Sequence, residues 1–308
     1  MMSRAFRAVA TATILLLLAA CSDGGTSPTP SASASESVAQ PTESAAAASC
    51  ATESLATKTP GTLTVGTDNP AFPPYFSDAT QTEGWEFGDP TNGQGFESAI
   101  AYALAEQLGF SEDQVEWVAV PFNNAIAPGP KDFDVYLAQV SYTDERAEAV
   151  DLSEGYFFSN QALVTTADSP LATATTIEEV AQHRLGAAGN TTSLTYILDK
   201  IQPAEEPRVY DDNTGAKSGL ETGDVQGVVF DLATAFYIVN VEMEDGVVVG
   251  QFPSDPDDKE HFSFVLDLDS PLTDCVDEAI LTMGENGELD SIAAEWLDDF
   301  LNAPQITE

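Results

Sequence analysis

Gly223-Asp224-Val225-Gln226-Gly227-Val228-Val229-Phe230-Asp231-Leu232-Ala233-Thr234-Ala235-Phe236-Tyr237-Ile238-Val239 reads as a strand that runs straight into a helix. Val225 to Phe230 is a short apolar run bounded by Gly-Asp on one side and a carboxylate on the other, the pattern of a strand covered on both faces. Leu232 to Val239 then reads as a helix. Asp231 stands at the junction, either aimed into a crevice beyond the strand end or capping the helix. A buried strand followed at once by a helix is the repeating unit of an α/β sheet.

The same unit recurs on both sides. Upstream, Leu63-Thr64-Val65 is a strand stopped at Gly66, and Glu97 to Leu108 is a helix with Ile100, Leu104 and Leu108 on one face, ended by Gly109. Val115 to Val120 and Asp134 to Ala138 read as strands, the second preceded by Pro128-Gly129-Pro130. Gln161 to Thr165 reads as a strand leaving a first lobe. Thr176-Ile177-Glu178-Glu179 is a capping-box helix start. Leu185 to Ala188 is a strand and Ser193 to Ile201 a helix. Downstream, Val247 to Gln251 is a strand returning to the first lobe. Pro271 to Met283 and Leu289 to Phe300 are closing helices, the first with Leu272, Val276, Ala279, Ile280 and Met283 on one face. The expected architecture is α/β, two lobes with parallel-rich sheets joined by two hinge strands: lobe 1 over 60–163 and 249–302, lobe 2 over 164–248. Ligands of open α/β sheets sit beyond the carboxyl ends of the strands, so the cleft between lobes is the expected site.

The chain has 308 residues, 43% of them hydrophobic, enough for two cores, and a formal net charge of −41. Ten cations face 51 carboxylates. Such a surface repels phosphate backbones, which excludes nucleic acid as a partner. Two of the cations, Arg4 and Arg7, precede the uncharged run Ala8 to Ala20 with its Ile14-Leu15-Leu16-Leu17-Leu18 core. That run is too short to span a bilayer and fits a signal peptide over 1–20. It ends Leu18-Ala19-Ala20-Cys21, similar to a bacterial lipobox, which implies diacylglycerol on Cys21 and a membrane contact through the lipid anchor only; the alternative is an ordinary signal peptide with a coincidental cysteine. Residues 21–59 are then the lipidated cysteine and a disordered Ser/Ala/Pro/Thr tether, of which 22–49 would span about 30 Å as a flexible coil. With Cys21 lipidated, Cys50 and Cys275 remain. In an oxidising compartment they form a disulfide from the tether to a C-terminal helix, two free thiols being the alternative. No metal site is expected: His183 and His261 are the two histidines, and neither is spaced with a cysteine. No cofactor is expected either.

Several pieces, in order, resemble the periplasmic-type solute-binding proteins of polar amino-acid ABC importers, which have the type II periplasmic-binding-protein fold. Gly61-Thr62-Leu63-Thr64-Val65-Gly66-Thr67-Asp68 with Phe72-Pro73-Pro74-Tyr75 is similar to the family's first strand and aromatic-Pro loop. Gly95-Phe96-Glu97 resembles its Gly-Phe-Asp helix opening, and Phe133-Asp134 followed by Ser141-Tyr142-Thr143-Asp144-Glu145-Arg146 resembles its Phe-Asp strand and Thr-x-x-Arg motif. Ser153-Glu154-Gly155-Tyr156, Asn190-Thr191-Thr192-Ser193 and Gly223 to Asp231 are similar to its Ser-Asp-Pro-Tyr, Gly-Thr-Thr-Ser and Gly-x-Val-Asp-Ala segments. Three departures stand out: Asn190 for Gly, Gln226 for Asp, and a long loop from Ser77 to Gly95 carrying Trp85.

The resemblance implies a free L-amino acid captured between lobes and handed to an ABC permease and its ATPase, with extracytoplasmic location at the cell membrane. A free amino acid brings a carboxylate, an ammonium and a side chain, each needing its own partner where water is excluded. Arg146 suits the carboxylate as a bidentate guanidinium; its alternative is a surface ion pair. Thr191 and Thr192, at a helix start, would close on the same group, or Thr192 is simply an N-cap. Asp231 would take the ammonium. Phe72 would stack on the aliphatic part, or belong to the core. Asp68, Ser141 and Gln139 complete the candidates, with Trp85 and Phe122 behind them. Glutamate and aspartate should bind poorly: the remaining cations Lys58, Lys131, Arg184, Lys200, Arg208, Lys217 and Lys259 all lie away from the expected cleft, which favours a polar neutral or cationic side chain. A ligand-binding sensor without transport is the alternative function. An enzyme, dehydratase-like on the same fold, is less favoured, because His183 lies before a strand away from the cleft and His261 follows the exposed-looking Asp257-Asp258-Lys259-Glu260.

Overall fold

The structure is a computed structural model that describes residues 50–80, 82–254, 260–297 and 303–307. The expected signal peptide, Cys21, the tether to residue 49 and Asp257-Asp258-Lys259 lie outside the described residues.

Among the described residues, ten strands form two five-stranded sheets. The first holds β1 (Leu63–Thr67), β2 (Val115–Ala119), β3 (Val135–Tyr136), β4 (Asp151–Phe158) and β10 (His261–Leu266), in the order β2-β1-β3-β10-β4. The second holds β5 (Gln161–Thr166), β6 (Leu185–Ala188), β7 (Arg208–Tyr210), β8 (Gly227–Asp231) and β9 (Gly246–Gln251), in the order β7-β6-β8-β5-β9. Each sheet has a parallel trio, β2-β1-β3 and β7-β6-β8, plus an antiparallel pair formed by the strands that enter and leave it. The run around Val228 is indeed a central strand, buried from Gly227 to Phe230 and continued by a helix over Leu232–Tyr237.

The crossings between sheets fall elsewhere than expected. β5 and β9 belong wholly to the second sheet. The chain passes from the first sheet to the second at Ser159-Asn160, and returns between Gln251 and His261. The antiparallel pairing of β5 with both β8 and β9 explains the shift, since it commits every residue from Gln161 to Thr166 to the second sheet. The tail adds a further contact there: Ile306 is buried in the second sheet's core, and Gln251 N–H donates to Pro304 O at 2.8 Å.

The first sheet's core gathers Phe96, Tyr156, Phe157, Phe262 and Phe264 within ring contact of one another. Each such burial contributes about 1.5–3 kcal/mol. The helix Phe96–Gln107 faces this core through Phe96, Ile100 and Leu104. It starts at Gly95, whose φ is 96° and where a Cβ would fall 2.5 Å from Phe76 Cα, which leaves room for glycine alone. The helix Thr273–Glu285 buries Val276, Ala279, Ile280 and Met283 on its expected face, together with Cys275. Cys275 is bonded to Cys50 across 225 residues of sequence, Cα–Cα 5.5 Å. The Thr176–Glu179 capping box forms as read, over the helix Ile177–Val180. No helix among the described residues is long and apolar enough to cross a membrane.

Candidate functional site

The parallel trios place their carboxyl ends around one cavity of about 420 Å³, a size suited to a small molecule. From the first sheet it is lined by Thr67 at the end of β1, by Asp68 and Phe72 beyond it, and beyond β3 by Gln139, Ser141 and Arg146. From the second it is lined beyond β6 by Thr191 and Thr192, beyond β7 by Asp211 and Asp212, and by Asp231 at the end of β8. The structure therefore brings together Arg146, Asp231, Thr192, Thr191, Ser141, Phe72, Asp68 and Gln139 at one cavity. Trp85 lies instead against the first sheet's core. Its loop braces the cavity wall from outside: Ala71 N–H donates to Phe87 O, and Asn69 binds Gly84 O and Glu86 N–H.

Thr143 caps the short helix Asp144–Ala147 by accepting from Arg146 N–H, which aims Arg146 toward the cavity. The side chain is 9% exposed and lies 5.5 Å from the Phe122 ring centroid, so Phe122 forms a cation–π floor. One terminal nitrogen donates to Ser141 O (2.5 Å) and the other to Asn190 O (2.6 Å), one from each side of the cleft. Burial pulls the guanidinium below its ordinary pKa, and the charges of Glu260 and Glu145 oppose that. It is the one cation among the described lining residues, against the carboxylates of Asp68, Asp211, Asp212 and Asp231.

Asn190 explains one departure from the family pattern. Its φ is +60°, a conformation glycine adopts freely and asparagine tolerates better than other side chains. The side chain added there reaches across the cleft to Asn123 Oδ1 at 2.9 Å. Thr191, rather than Thr192, caps the helix Thr192–Tyr196 by accepting from Leu194 N–H, so the N-cap alternative applies to the neighbour. Thr192 is thereby free to turn its hydroxyl into the cleft, 3.2 Å from Ser141 Oγ. Asp231 holds both readings at once: it accepts from Thr234 N–H as a cap and from Tyr75 O–H across the cleft at 2.5 Å. Burial pushes its carboxyl up. Phe72 also joins the two sides, with ring contacts to Phe87 and Tyr237.

Asp68 is raised by burial, with Asp212 adding to the rise. Gln139 adopts φ +50°, a strained position held by two hydrogen bonds to Glu97, one from its backbone N–H at 2.7 Å and one from its side-chain amide. Glu97 is fully buried behind it, also accepts from Tyr156 O–H, and is pushed by burial to a pKa of about 7. Thr67 Oγ is buried at the cavity wall without a hydrogen-bond partner among the described residues. Lys131 sits away from the cavity as read, its ammonium on the carbonyls of Asn124 and Ala127. His261 stacks on Tyr142, with centroids 5.4 Å apart. Neither histidine lines the cavity, and the described residues contain no group of His, Cys, Asp and Glu able to hold a metal ion.

The site also contains residues the sequence reading passed over. Tyr75 and Gln161 reach it from a loop and from β5. Glu260, read as part of an exposed charged loop, instead points inward and accepts from Ser141 Oγ at 2.6 Å. Its signal was masked by the acidic run before it.

A two-sheet α/β body with a polar cleft between carboxyl strand ends is the architecture of two-lobed binding proteins. The sequence profile of the bacterial extracellular solute-binding proteins, family 3, matches residues 63–299, and the chain belongs to that family. It is 26% identical over 228 residues to the arginine-binding extracellular protein ArtP of Bacillus subtilis, covering 69% of this chain and 81% of that one. It is 26% identical over 239 residues to the L-cystine-binding protein TcyJ of Escherichia coli K12, covering 77% and 82%. Among solved structures it is similar to an ancestral arginine-binding protein bound to glutamine, with TM-score 0.61 and 27% identity over 77% of this chain and 97% of that one. The fold is that of the type II amino-acid-binding proteins.

Proposed function

We propose that the chain captures a free amino acid with a polar neutral or cationic side chain between its two sheets and delivers it to an ABC permease and its ATPase. In this reading it is extracytoplasmic and held at the cell membrane by lipid on Cys21. The observation that carries it is the lining of one small cavity: a single buried guanidinium beside Ser141 and Thr192, opposite Asp231, with Asp68, Gln139 and Phe72 between. Arg146, Ser141 and Thr192 take the α-carboxylate, Asp231 the ammonium, and Asp68, Gln139 and Phe72 face the side chain. Four lining carboxylates against one cation disfavour a second ligand carboxylate, because an unpaired buried charge is costly. The relative named for arginine and the ancestral arginine-binding protein bound to glutamine agree with that side-chain class; L-cystine, for which another relative is named, brings a second carboxylate but balances it with a second ammonium.

Because the ligand would touch both sheets, it stabilises the closed arrangement by differential contact, with bending at Ser159-Asn160. Competition calorimetry with arginine, glutamine and glutamate tests the reading. Arginine or glutamine should bind most tightly. Tightest binding by glutamate overturns the side-chain assignment, and absence of binding by any amino acid overturns the function. Loss of uptake of the bound amino acid in cells lacking this chain separates an importer from a sensor.

A further inference from the structure

Three neutral donors from both sides of the cleft converge on one carboxylate of the chain itself. Ser141 O–H donates to Glu260 Oε1 at 2.6 Å, and Thr192 O–H donates to the same oxygen. The Gln161 amide nitrogen donates to both Glu260 oxygens, at 3.0 and 2.9 Å. The orientation of that amide is fixed by its other end, because Gln161 Oε1 accepts from Ser193 O–H at 2.6 Å. Ser141 and Gln161 are each 3% exposed, and Ser193, which fixes the Gln161 amide, 8%, so two of the three donors are held out of water while Thr192 is half-buried. Glu260 is placed by its backbone: its carbonyl accepts from Ser159 N–H at the first crossing between the sheets, and the next residue opens β10.

A carboxylate surrounded by hydroxyl and amide donors, with a guanidinium close enough for its charge to be felt, occupies what is chemically an anion seat. Two of the three donors, Ser141 and Thr192, are those the proposed function assigns to the ligand's α-carboxylate. Both cannot hold two carboxylates: each hydroxyl has one proton to give. We propose that Glu260 is an internal occupant of the anion seat, and that a ligand carboxylate binds by displacing it. The proposal rests on the proposed function for its ligand, though not for the seat itself. Glu260 thereby sets the affinity threshold of the site. A ligand must bring a better-matched anion, paired with an ammonium for Asp231, to replace a tethered carboxylate whose effective concentration is high. Glu260 also ties Ser141 of the first side to Thr192 and Gln161 of the second, so its displacement changes what holds the two sides together.

Two measurements test this, one of them independent of any amino acid. Glu260→Ala empties the seat, and free acetate should fill it. Sodium acetate, compared with sodium chloride at equal ionic strength, should raise the melting temperature of Glu260→Ala by several degrees and leave the wild type unmoved. Equal response of the two proteins overturns the proposal. In calorimetry with arginine or glutamine, Glu260→Gln, which keeps the side chain's shape, should bind about tenfold more tightly than the wild type. Unchanged or weaker binding by Glu260→Gln overturns the proposal, weaker binding marking Glu260 as a direct ligand contact. If Glu260→Ala does not fold, the Gln variant carries the test. An acetate response in Glu260→Ala with no amino-acid binding by either protein supports the seat and overturns the proposed function.

Discussion

On the second-sheet wall of the cavity, Thr191, Asp212 and Asp231 each cap the helix that begins beside them, accepting from the backbone N–H three residues on. On the first-sheet wall, Gln139 is held by Glu97, 42 residues away, Glu97 by Tyr156, 59 residues away, and Arg146 by Asn190, 44 residues away. The second wall is thus written locally, in strand-cap-helix units whose polar residues serve the helix and the cleft at once. The first wall is assembled from distant pieces and needs a well-packed core behind it. Disturbing what supports the first wall should propagate to the site through packing, whereas disturbing a cap of the second should stay near its own helix.

The largest effect should come from the staple behind the first wall. Cys275→Ser opens a 225-residue connection to Cys50. The chain-entropy account gives about 5 kcal/mol for such a loop. Denaturant titration should show that loss, and peptide mapping without reductant should recover the linked pair from wild type. Two alkylatable thiols in native, oxidised protein would overturn the bridge.

Arg146→Ala comes next. It removes the cleft's one described cation, and charge-assisted hydrogen bonds are worth about 1.5–3 kcal/mol each, so amino-acid affinity should fall by several kcal/mol. The fold should survive, since the side chain's other partners are two backbone carbonyls. Unchanged affinity by calorimetry removes Arg146 from the site.

The support behind Gln139 should show itself through pH. Burial raises Glu97 from an ordinary carboxylate value of 4.5 to about 7. The folded chain therefore holds this proton more tightly than the unfolded chain. The stability it contributes is complete below about pH 4.5 and is lost as pH climbs to about 7, on the order of 3 kcal/mol at most. Glu97→Gln cannot lose a proton, so the stability of wild type relative to this variant should decline over that range and then level off. The difference, rather than either curve alone, is the quantity to follow, because an acidic surface also repels itself less at low pH. A flat difference from pH 4.5 to 8 shows that Glu97 does not titrate as the buried geometry requires.

How much of this was legible follows the same division between walls. The run from Val225 to Asp231 announced β8 and its cap because apolar continuity and a terminal carboxylate are adjacent in sequence. Leu185 to Ala188 was readable for the same reason, and Thr191 and Thr192 were found as a pair, though which one caps was not. On the first wall, Arg146 and Ser141 came through a resemblance of motifs. Their geometry depends on Asn190 and Phe122, which no local pattern links to them. β4 and β10 escaped reading because Glu154-Gly155 interrupts one and an acidic run precedes the other. Glu260 was hidden with β10: a carboxylate beside other carboxylates reads as solvated surface until the crossing of the chain turns it inward. The sheet crossings were misplaced for a related reason, since antiparallel partners of β5 and β9 are not visible in either strand's own sequence.

The smallest effect is also the sharpest separation of the two roles on the second wall. Thr191 and Thr192 are neighbours, yet the first gives its oxygen to Leu194 N–H and its proton to Ala188 O, while the second gives its proton to the cleft. Thr191→Ala should therefore cost about 1 kcal/mol of stability, the usual worth of an N-cap, and change amino-acid affinity little. Thr192→Val, which keeps the shape and removes the hydroxyl, should leave stability nearly unchanged and alter affinity, since a donor of the anion seat is gone. Denaturant titration and calorimetry on both variants give four numbers. If Thr191→Ala weakens binding as much as Thr192→Val does, the cap and the seat are one mechanical unit, and the second wall is no more local than the first.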